Sequence, residues 1–300
     1  MTKTIDTLVE DIYNVLDQTK EHDPHDTASQ EAAMRIGTEF IKATELRDKP
    51  RERGKLWASD LGKKCLRYHW YNFNEPEYGE VLNGNTKFKF LYGNILEESV
   101  LWLAEEAGHM VRGQQHTVEL PVGDWTVRGR IDAVIDGTLV DVKSTSSYGF
   151  KNYKDGIDAT NDTFGYLWQL GFYHGFGEFD YGVDDVSGFV WIDKQNGHIA
   201  YTPVEVPSPD DITQRVLEII EAVEGEEFDT PRAFGPEPYG KSGNQKLSVG
   251  CSYCAFKQRC WRDANNGKGL RTFLYSHGPV FFTEVNRQPA QTVLEITDEG

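Results

Sequence analysis

The 300-residue chain contains no apolar run near the ~20 residues that a membrane-spanning helix requires. Its opening, MTKTIDTLVEDIYNVLDQ, is acidic and amphipathic rather than basic and then apolar, unlike a secretory signal. The expectation is a soluble protein of the cytoplasm, with no membrane partner. Cysteine is scarce, at four residues, too few to staple a chain of this size as a secreted disulfide scaffold. Positive charge is also in short supply: 31 Lys and Arg face 48 Asp and Glu, a formal net charge of −17. Taken alone, that balance argues against a nucleic-acid binder, because phosphate affinity comes from Lys and Arg. There is no internal repeat, no low-complexity tract and no G-x-x-x-x-G-K-[ST] phosphate loop, so any strand-unwinding motor has to come from a partner.

The charge that is present is unevenly spread. Residues 51–70 hold six bases against two acids and 251–275 hold five against one, whereas 176–230 hold fourteen acids against two bases. An acidic back with two basic segments is compatible with one face toward DNA, and equally with an ordinary solvated surface.

Ile5, Leu8, Val9, Ile12 and Leu16 keep helical spacing, and HDTASQEAAMRIGTEFIKATEL after Pro24 supports a second helix, so residues 1–50 read as an N-terminal helical extension. WASDLGKKCLRYHWYNF opens a short helix with Ser59 or Asp60 as N-cap. An apolar stripe through Ile95, Leu96, Val100, Leu103, Ala104 and Ala107 predicts a helix from about Phe90, ending at Gly108. Residues 116–145 then alternate as strands, 162–176 return to helix, and 186–206 hold two strands about an Asn196-Gly197 turn. An acidic helix covers 209–224, a Pro/Gly-rich stretch follows over 230–250, and the segment from 270 reads as a final hairpin before a loose polar end. The division expected is 1–50 extension, 51–265 core and 266–300 hairpin and tail.

The stretch GRIDAVIDGTLVDVKSTS, residues 129–146, carries the strongest local signal. With Asp136-Gly137 as the centre of a type I′ turn, Ile135 faces Thr138, Val134 faces Leu139, Ala133 faces Val140, Asp132 faces Asp141 and Arg130 faces Lys143. Alternation places Ile131, Ala133, Ile135, Val140 and Val142 on an apolar face and Arg130, Asp132, Asp141 and Lys143 on the other. Opposed carboxylates with β-carbons ~5 Å apart repel. A hard divalent cation such as Mg²⁺ relieves that repulsion, with Lys143 beside it to hold a water; a surface ladder paired with Arg130 and Lys143 is the ordinary alternative.

GRID followed by DVK resembles the Gly-x-x-Asp and (D/E)-x-K signature of the PD-(D/E)XK nuclease superfamily, particularly its RecB/Cas4-like branch. GNILEE resembles that family's Gly-x-x-x-His/Glu element: counting four from Gly93 gives Glu97, where many Cas4 relatives carry histidine. Glu98 is expected to stack with Glu105 toward the outer helix face. QLGFY places Gln169 and Tyr173 at i and i+4 on one helix face and resembles the Gln-x-x-x-Tyr motif of RecB-type nucleases. The resemblance implies a restriction-endonuclease-like α/β fold with a mixed central sheet flanked by helices. It also implies Mg²⁺ or Mn²⁺ held by Glu97, Asp132, Asp141 and the backbone carbonyl of Val142, with Lys143 positioning water and Gln169 and Tyr173 beside the nucleic acid.

Cys251, Cys254 and Cys260 form C-x₂-C-x₅-C, and Cys65 stands alone 186 positions before Cys251. Four thiols suit Zn²⁺ or an iron–sulfur cluster equally, and such a site stabilises only the fold that brings its ligands together. One cysteine before the core and three after it resembles the iron–sulfur nucleases, namely Cas4 and the AddB and Dna2 nuclease domains, and implies a structural [4Fe–4S] cluster. Lys63, Lys64, Arg67, Lys257, Arg259 and Arg262 bracket these cysteines, interleaved with Tyr68, Trp70, Tyr71, Phe256 and Trp261. They suit either a single-strand path or the wrapping of the metal group.

The resemblance covers roughly residues 57–262. It implies a metal-dependent exonuclease acting on single-stranded DNA ends, 5′ to 3′, in phage or bacterial recombination, DNA processing or CRISPR spacer acquisition, with a helicase or recombination partner. The alternative is a noncatalytic DNA- or protein-binding module stabilised by Fe–S or zinc.

Overall fold

The computed structural model describes residues 3–18, 23, 25–44 and 52–296. In chain order these form α1 (Leu8–Asp17), α2 (Thr27–Thr44), β1 (Lys55–Trp57), α3 (Ala58–Leu61), α4 (Leu66–Asn74), α5 (Gly84–Glu106), β2 (Val111–Arg112), β3 (Thr117–Val122), β4 (Trp125–Arg130), β5 (Ala133–Ile135) and β6 (Thr138–Thr145). There follow α6 (Ser147–Tyr153), α7 (Tyr166–Phe176), β7 (Ser187–Asp193), β8 (Ile199–Val204), α8 (Pro209–Glu224), β9 (Pro236–Pro238), β10 (Gln245–Leu247), α9 (Val249–Ser252), α10 (Lys257–Cys260), α11 (Ala264–Gly267), β11 (Arg271–Tyr275), β12 (Gly278–Glu284) and β13 (Leu294–Ile296). Pro24, residues 45–46 of the expected second helix and residues 297–300 of the expected polar end lie outside the described residues.

The chain divides into two units, each assembled from separated segments: 1–49, 53–63 and 82–217 in the first, 50–52, 64–81 and 218–300 in the second. These boundaries cut across the linear division expected from sequence, because strand pairing and burial join segments distant in the chain.

In the first unit a mixed five-stranded sheet has the order β2-β5-β6-β7-β8, with β6 and β7 parallel and the other neighbours antiparallel. Parallel neighbours need a crossover, and α6 and α7 supply it. A second sheet, β1-β4-β3, pairs β4 in parallel with β1 and antiparallel with β3. β7 is buried along its whole length, so both its faces are covered. Val190 and Ile192 join Ala133, Ile135, Val140 and Val142 against Val100, Leu101, Leu103 and Ala104 of α5. Phe189 and Trp191 instead form an aromatic layer with Tyr153 and Tyr166, Trp191 stacking on Tyr153 at 4.9 Å between centroids.

α1 is part of this core rather than an appendage. Leu8 and Ile12 are fully buried in the α5–sheet cluster. Tyr13 donates its hydroxyl to Gly197 O and accepts from Ile199 N, tying α1 to the β7–β8 turn. His109, buried, has Nδ1 2.6 Å from Asp136 of the hairpin turn and Nε2 3.3 Å from Asp11 of α1. An amphipathic helix read alone has no sequence signal for which surface it covers.

The expected N-cap at Ser59 or Asp60 falls elsewhere: α3 starts at Ala58, and the Asp60 carboxylate reaches back to accept from Trp57 N at 3.1 Å. α5 begins at Gly84, six residues before the expected start, with Asn83 accepting from Thr86 N at 2.9 Å as its cap. It ends as expected, with Gly108 in the left-handed conformation (φ 85°).

The second unit is built on a five-stranded antiparallel sheet of order β13-β11-β12-β10-β9. Its β11–β12 pair is the hairpin expected after 270. β9 and β10 fall in the stretch read as an irregular Pro/Gly-rich connection; three-residue strands between glycines carry too short a period to register.

Candidate active site

The hairpin forms as its turn chemistry dictates. Asp136 and Gly137 both have positive φ (53° and 94°), the requirement of a type I′ turn, and Ala133↔Val140, Val134↔Leu139 and Ile135↔Thr138 are paired. The expected continuation, Arg130 opposite Lys143, does not form. The strand breaks at Ile131-Asp132: Arg130 belongs to β4 and faces Thr117 in the other sheet. Asp132 therefore sits where two sheets part, outside either ladder. Its Oδ2 accepts from Val142 N at 2.7 Å.

Asp141, 1 % exposed, stands in the middle of β6. Its Oδ1 is buried with no hydrogen-bond partner among the described residues, while the Lys143 ammonium forms an ion pair with Oδ2. Lys143 also lies over the Tyr166 ring, 5.7 Å from its centroid. Burial works against its charge, but Asp141 and Asp132 outweigh burial and raise its pKa. Its ammonium is a hydrogen-bond donor and a positive charge beside Asp141.

Glu97 reaches the same place from α5. Burial, then the charge of Asp132, raise its pKa; burial, then the charge of Asp141, raise that of Asp132. Gly93, one turn before Glu97, lets α5 approach the strand end beyond Lys143: a β-carbon there would lie 3.3 Å from Ser144 Oγ. Glu98 is 8 % exposed and is held by α2, whose Arg35 binds both Glu98 (3.1 Å) and Glu105 (3.3 Å); its charge still adds to the raised pKa values of Glu97 and Asp132. The outer face expected for Glu98 and Glu105 is thus an α2 contact. Nothing in the local sequence signals it, since Arg35 is 63 residues away from Glu98.

Gln169 and Tyr173 share one face of α7, and Gln169 Nε2 donates to the Tyr173 hydroxyl at 3.1 Å. Burial, then the charge of Asp141, hold Tyr173 in its phenol form. The glycine of GRID has a reason here: a β-carbon at Gly129 would lie 2.5 Å from Tyr173 Cε1 and 2.8 Å from its hydroxyl. The start of α7 depends on a residue that sequence reading missed as a cap. The helix begins at Tyr166, and buried Asp162 accepts from the backbone N–H groups of Gly165 (2.7 Å), Tyr166 (3.0 Å) and Leu167 (3.0 Å). An acid several residues before an apolar helix was the available signal.

Among the described residues, no three His, Cys, Asp or Glu side chains stand in ready metal-holding geometry. The strand site has its carboxylates committed to internal partners, Asp132 to Val142 N and Asp141 to Lys143. Its donor set nevertheless fits a hard divalent cation: three carboxylates within electrostatic reach, one buried oxygen without a donor, and two pKa values raised in its absence.

In the second unit, Cys65, Cys251, Cys254 and Cys260 are all unpaired in disulfides and half-buried. Burial pushes the Cys254 thiol up to about 12, with Cys65, Cys260 and Cys251 each adding to the rise, so the four thiols lie within electrostatic reach of one another. Burial also raises Cys251, opposed by hydrogen bonding from Ser248 and Trp261. The flanking bases are engaged internally: Arg259 with Glu75 (2.8 Å), Arg262 with Glu227 (3.1 Å), Lys257 with Glu80, and Arg67 with the Thr230 carbonyl (2.5 Å). Tyr71 stacks on Phe256, whose ring also meets Tyr68 edge-on. Four of the six flanking bases thus have partners within the second unit.

The sequence matches the PD-(D/E)XK nuclease superfamily over residues 7–261, and the chain belongs to that family. Its α/β architecture, a mixed sheet with helices on both faces, is the restriction-endonuclease-like fold of these nucleases. None of the curated proteins matches the chain. Among solved structures it is similar to SSO0001 (17% identity over 75% of this chain and 92% of that one, TM-score 0.44). It is also similar to an alkaline exonuclease (LHK-Exo) from Laribacter hongkongensis (16% identity over 57% and 86%, TM-score 0.41). No helix among the described residues is long and apolar enough to cross a membrane.

Proposed function

We propose that this nuclease is a Mg²⁺- or Mn²⁺-dependent deoxyribonuclease of the Cas4/RecB-like iron–sulfur branch, an exonuclease acting on single-stranded ends. The observation that carries the reading is the convergence of Glu97, Asp132, Asp141 and Lys143 where β4 and β5 part. Glu97, Asp132 and Asp141 would hold the ion, with the Val142 carbonyl as a further oxygen. When bound, the ion polarises the scissile phosphate, lowers the pKa of water and stabilises the charge that builds in the displacement.

The chain's own residues do the rest. Lys143, held between Asp141 and Tyr166, donates to the attacking water or to a nonbridging phosphate oxygen. Tyr173, kept as a phenol and oriented by Gln169, offers a second donor beside the site. Hydrolysis forms one water oxygen–phosphorus bond and breaks one ester bond, leaving a phosphate and a hydroxyl end.

The four cysteines of the second unit suit a [4Fe–4S] cluster, with Zn²⁺ the alternative that also accepts four thiolates. The polarity, 5′ to 3′, and the setting, recombination or end processing with a helicase partner, follow the branch the motifs resemble. A noncatalytic binding module is disfavoured by Asp141 itself: a buried carboxylate oxygen without a donor costs stability that a dead site has no reason to maintain.

The test is anaerobic purification with iron and zinc analysis, followed by degradation of labelled single- and double-stranded oligonucleotides with Mg²⁺ or Mn²⁺. A broad band near 400 nm with about four irons per chain supports the cluster. Degradation by the wild type and none by Asp132→Ala, with folding retained, supports the enzyme; a wild type that binds DNA without cleaving it supports the module.

A further inference from the structure

The first two turns of α5 lie upstream of Glu97 and are unlike the rest of the helix. From Val100 onward α5 buries one side against the sheet, but Phe88 and Phe90 are 68 % and 57 % exposed, and the segment Gly84–Leu96 carries Lys87 and Lys89 with no carboxylate, in a chain of net charge −17. Helical spacing gives the two phenylalanines different directions. Phe90, Gly93 and Glu97 stand at i, i+3 and i+7 on one face, about 10 Å apart end to end, and Lys87 and Lys89 flank Phe90. Phe88 and Tyr92 stand at i and i+4 on the far side, where the Tyr92 hydroxyl donates to Lys194 O at 3.3 Å.

We infer that Phe90 is a base-stacking residue, with Lys87 and Lys89 as its phosphate contacts, for the single strand whose scissile phosphate lies at Glu97. The inference rests on the nuclease reading above and adds to it a binding subsite. One feature selects a nucleic acid strand over other occupants: the lysines that bracket the exposed ring are complementary to phosphates, on a stretch of helix that has no acid of its own. An aromatic ring between two cations stacks any base without reading its identity. The uneven charge of the chain then has a role, since the acidic remainder repels strand that is not threaded along this face.

The experiment measures binding of fluorescein-labelled oligo(dT) by anisotropy in EDTA, where cleavage is absent, and separately measures its degradation with Mg²⁺. Phe90→Ala is expected to weaken binding at least about fivefold and Phe90→Trp to retain it, while Phe88→Ala, on the opposite side, leaves it unchanged. Moving a single abasic site along the oligonucleotide should reveal one position at which the wild type loses affinity and Phe90→Ala loses none. Replacing Lys87 and Lys89 together by Ala should lower the slope of log affinity against log salt by about 1.4. Equal binding by Phe90→Ala and wild type, with wild-type cleavage intact, overturns the subsite alone. Absence of wild-type cleavage overturns the nuclease reading instead. Loss of self-association in Phe90→Ala with unaltered oligonucleotide affinity assigns the ring to a second copy of the chain and also overturns the proposal.

Discussion

Gly129 and Tyr173 fit one another: a side chain of any size at 129 would occupy the space of the Tyr173 ring, at 2.5 Å from Cε1, and would also meet Ala58 Cβ at 2.7 Å. Gly129→Ala should therefore displace Tyr173 and destabilise the protein by about 1–3 kcal/mol through overpacking. Thermal denaturation of Gly129→Ala, Tyr173→Ala and the double variant checks it. The double variant is expected to be less destabilised than the sum of the two, since removing the ring relieves most of the clash.

Lys143 is the charge donor in the proposed reaction. Lys143→Met preserves much of its length and packing against Tyr166 and is expected to lower kcat by about 10²–10³-fold, the loss typical of one preorganised electrostatic donor. Raising the pH should not rescue it.

The carboxylates give stability a pH dependence of opposite sense to most acidic groups. Glu97 and Asp132 have folded-state pKa values above their unfolded ones, so the metal-free protein has their full contribution below the ordinary carboxylate range and loses it as the pH rises through the raised values. Between pH 5 and 9 the melting temperature in EDTA should fall, and Mg²⁺ should restore it. Calorimetric titration in buffers of different ionisation enthalpy should show protons released on Mg²⁺ binding, with affinity increasing with pH. Glu97→Gln should flatten the melting profile and abolish cleavage together.

Asp162 holds three backbone donors at the start of α7, the helix that carries Gln169 and Tyr173. Asp162→Ala leaves those donors unsatisfied, and a loss of about 2 kcal/mol or more is expected. Asp162→Asn retains an acceptor and should recover part of the loss. Urea denaturation of the three proteins separates the outcomes.

What was legible in the sequence was local. Asp136-Gly137 specifies its turn by backbone sterics alone, and the turn fixes the register that brings Asp132 near Asp141. Gln169 and Tyr173 meet because four residues make one turn of helix. What was not legible depends on distant partners. The break at Ile131 arises because β4 pairs with β1 and β3 while β5 pairs with β2 and β6, and no residue near 131 announces that exchange. The ion pairs of Lys257, Arg259 and Arg262 were not legible because their acidic partners, Glu80, Glu75 and Glu227, lie elsewhere in the chain. α1 read as an extension because an amphipathic stripe does not name the surface it covers.

The strand break has an architectural consequence. A residue inside a ladder has its backbone held by its neighbours in the sheet, as Asp141 has, whereas Asp132 lies outside both ladders and its carboxylate is held by Val142 N. Surrendering that contact to an incoming ligand leaves the buried Val142 N–H without its acceptor, a cost of about 1–3 kcal/mol, and breaks no backbone pairing of either ladder. The fork between the sheets thus acts as a compliant joint in an otherwise stiff frame: Asp141 sets the fixed coordinate, and Asp132 supplies the adjustment.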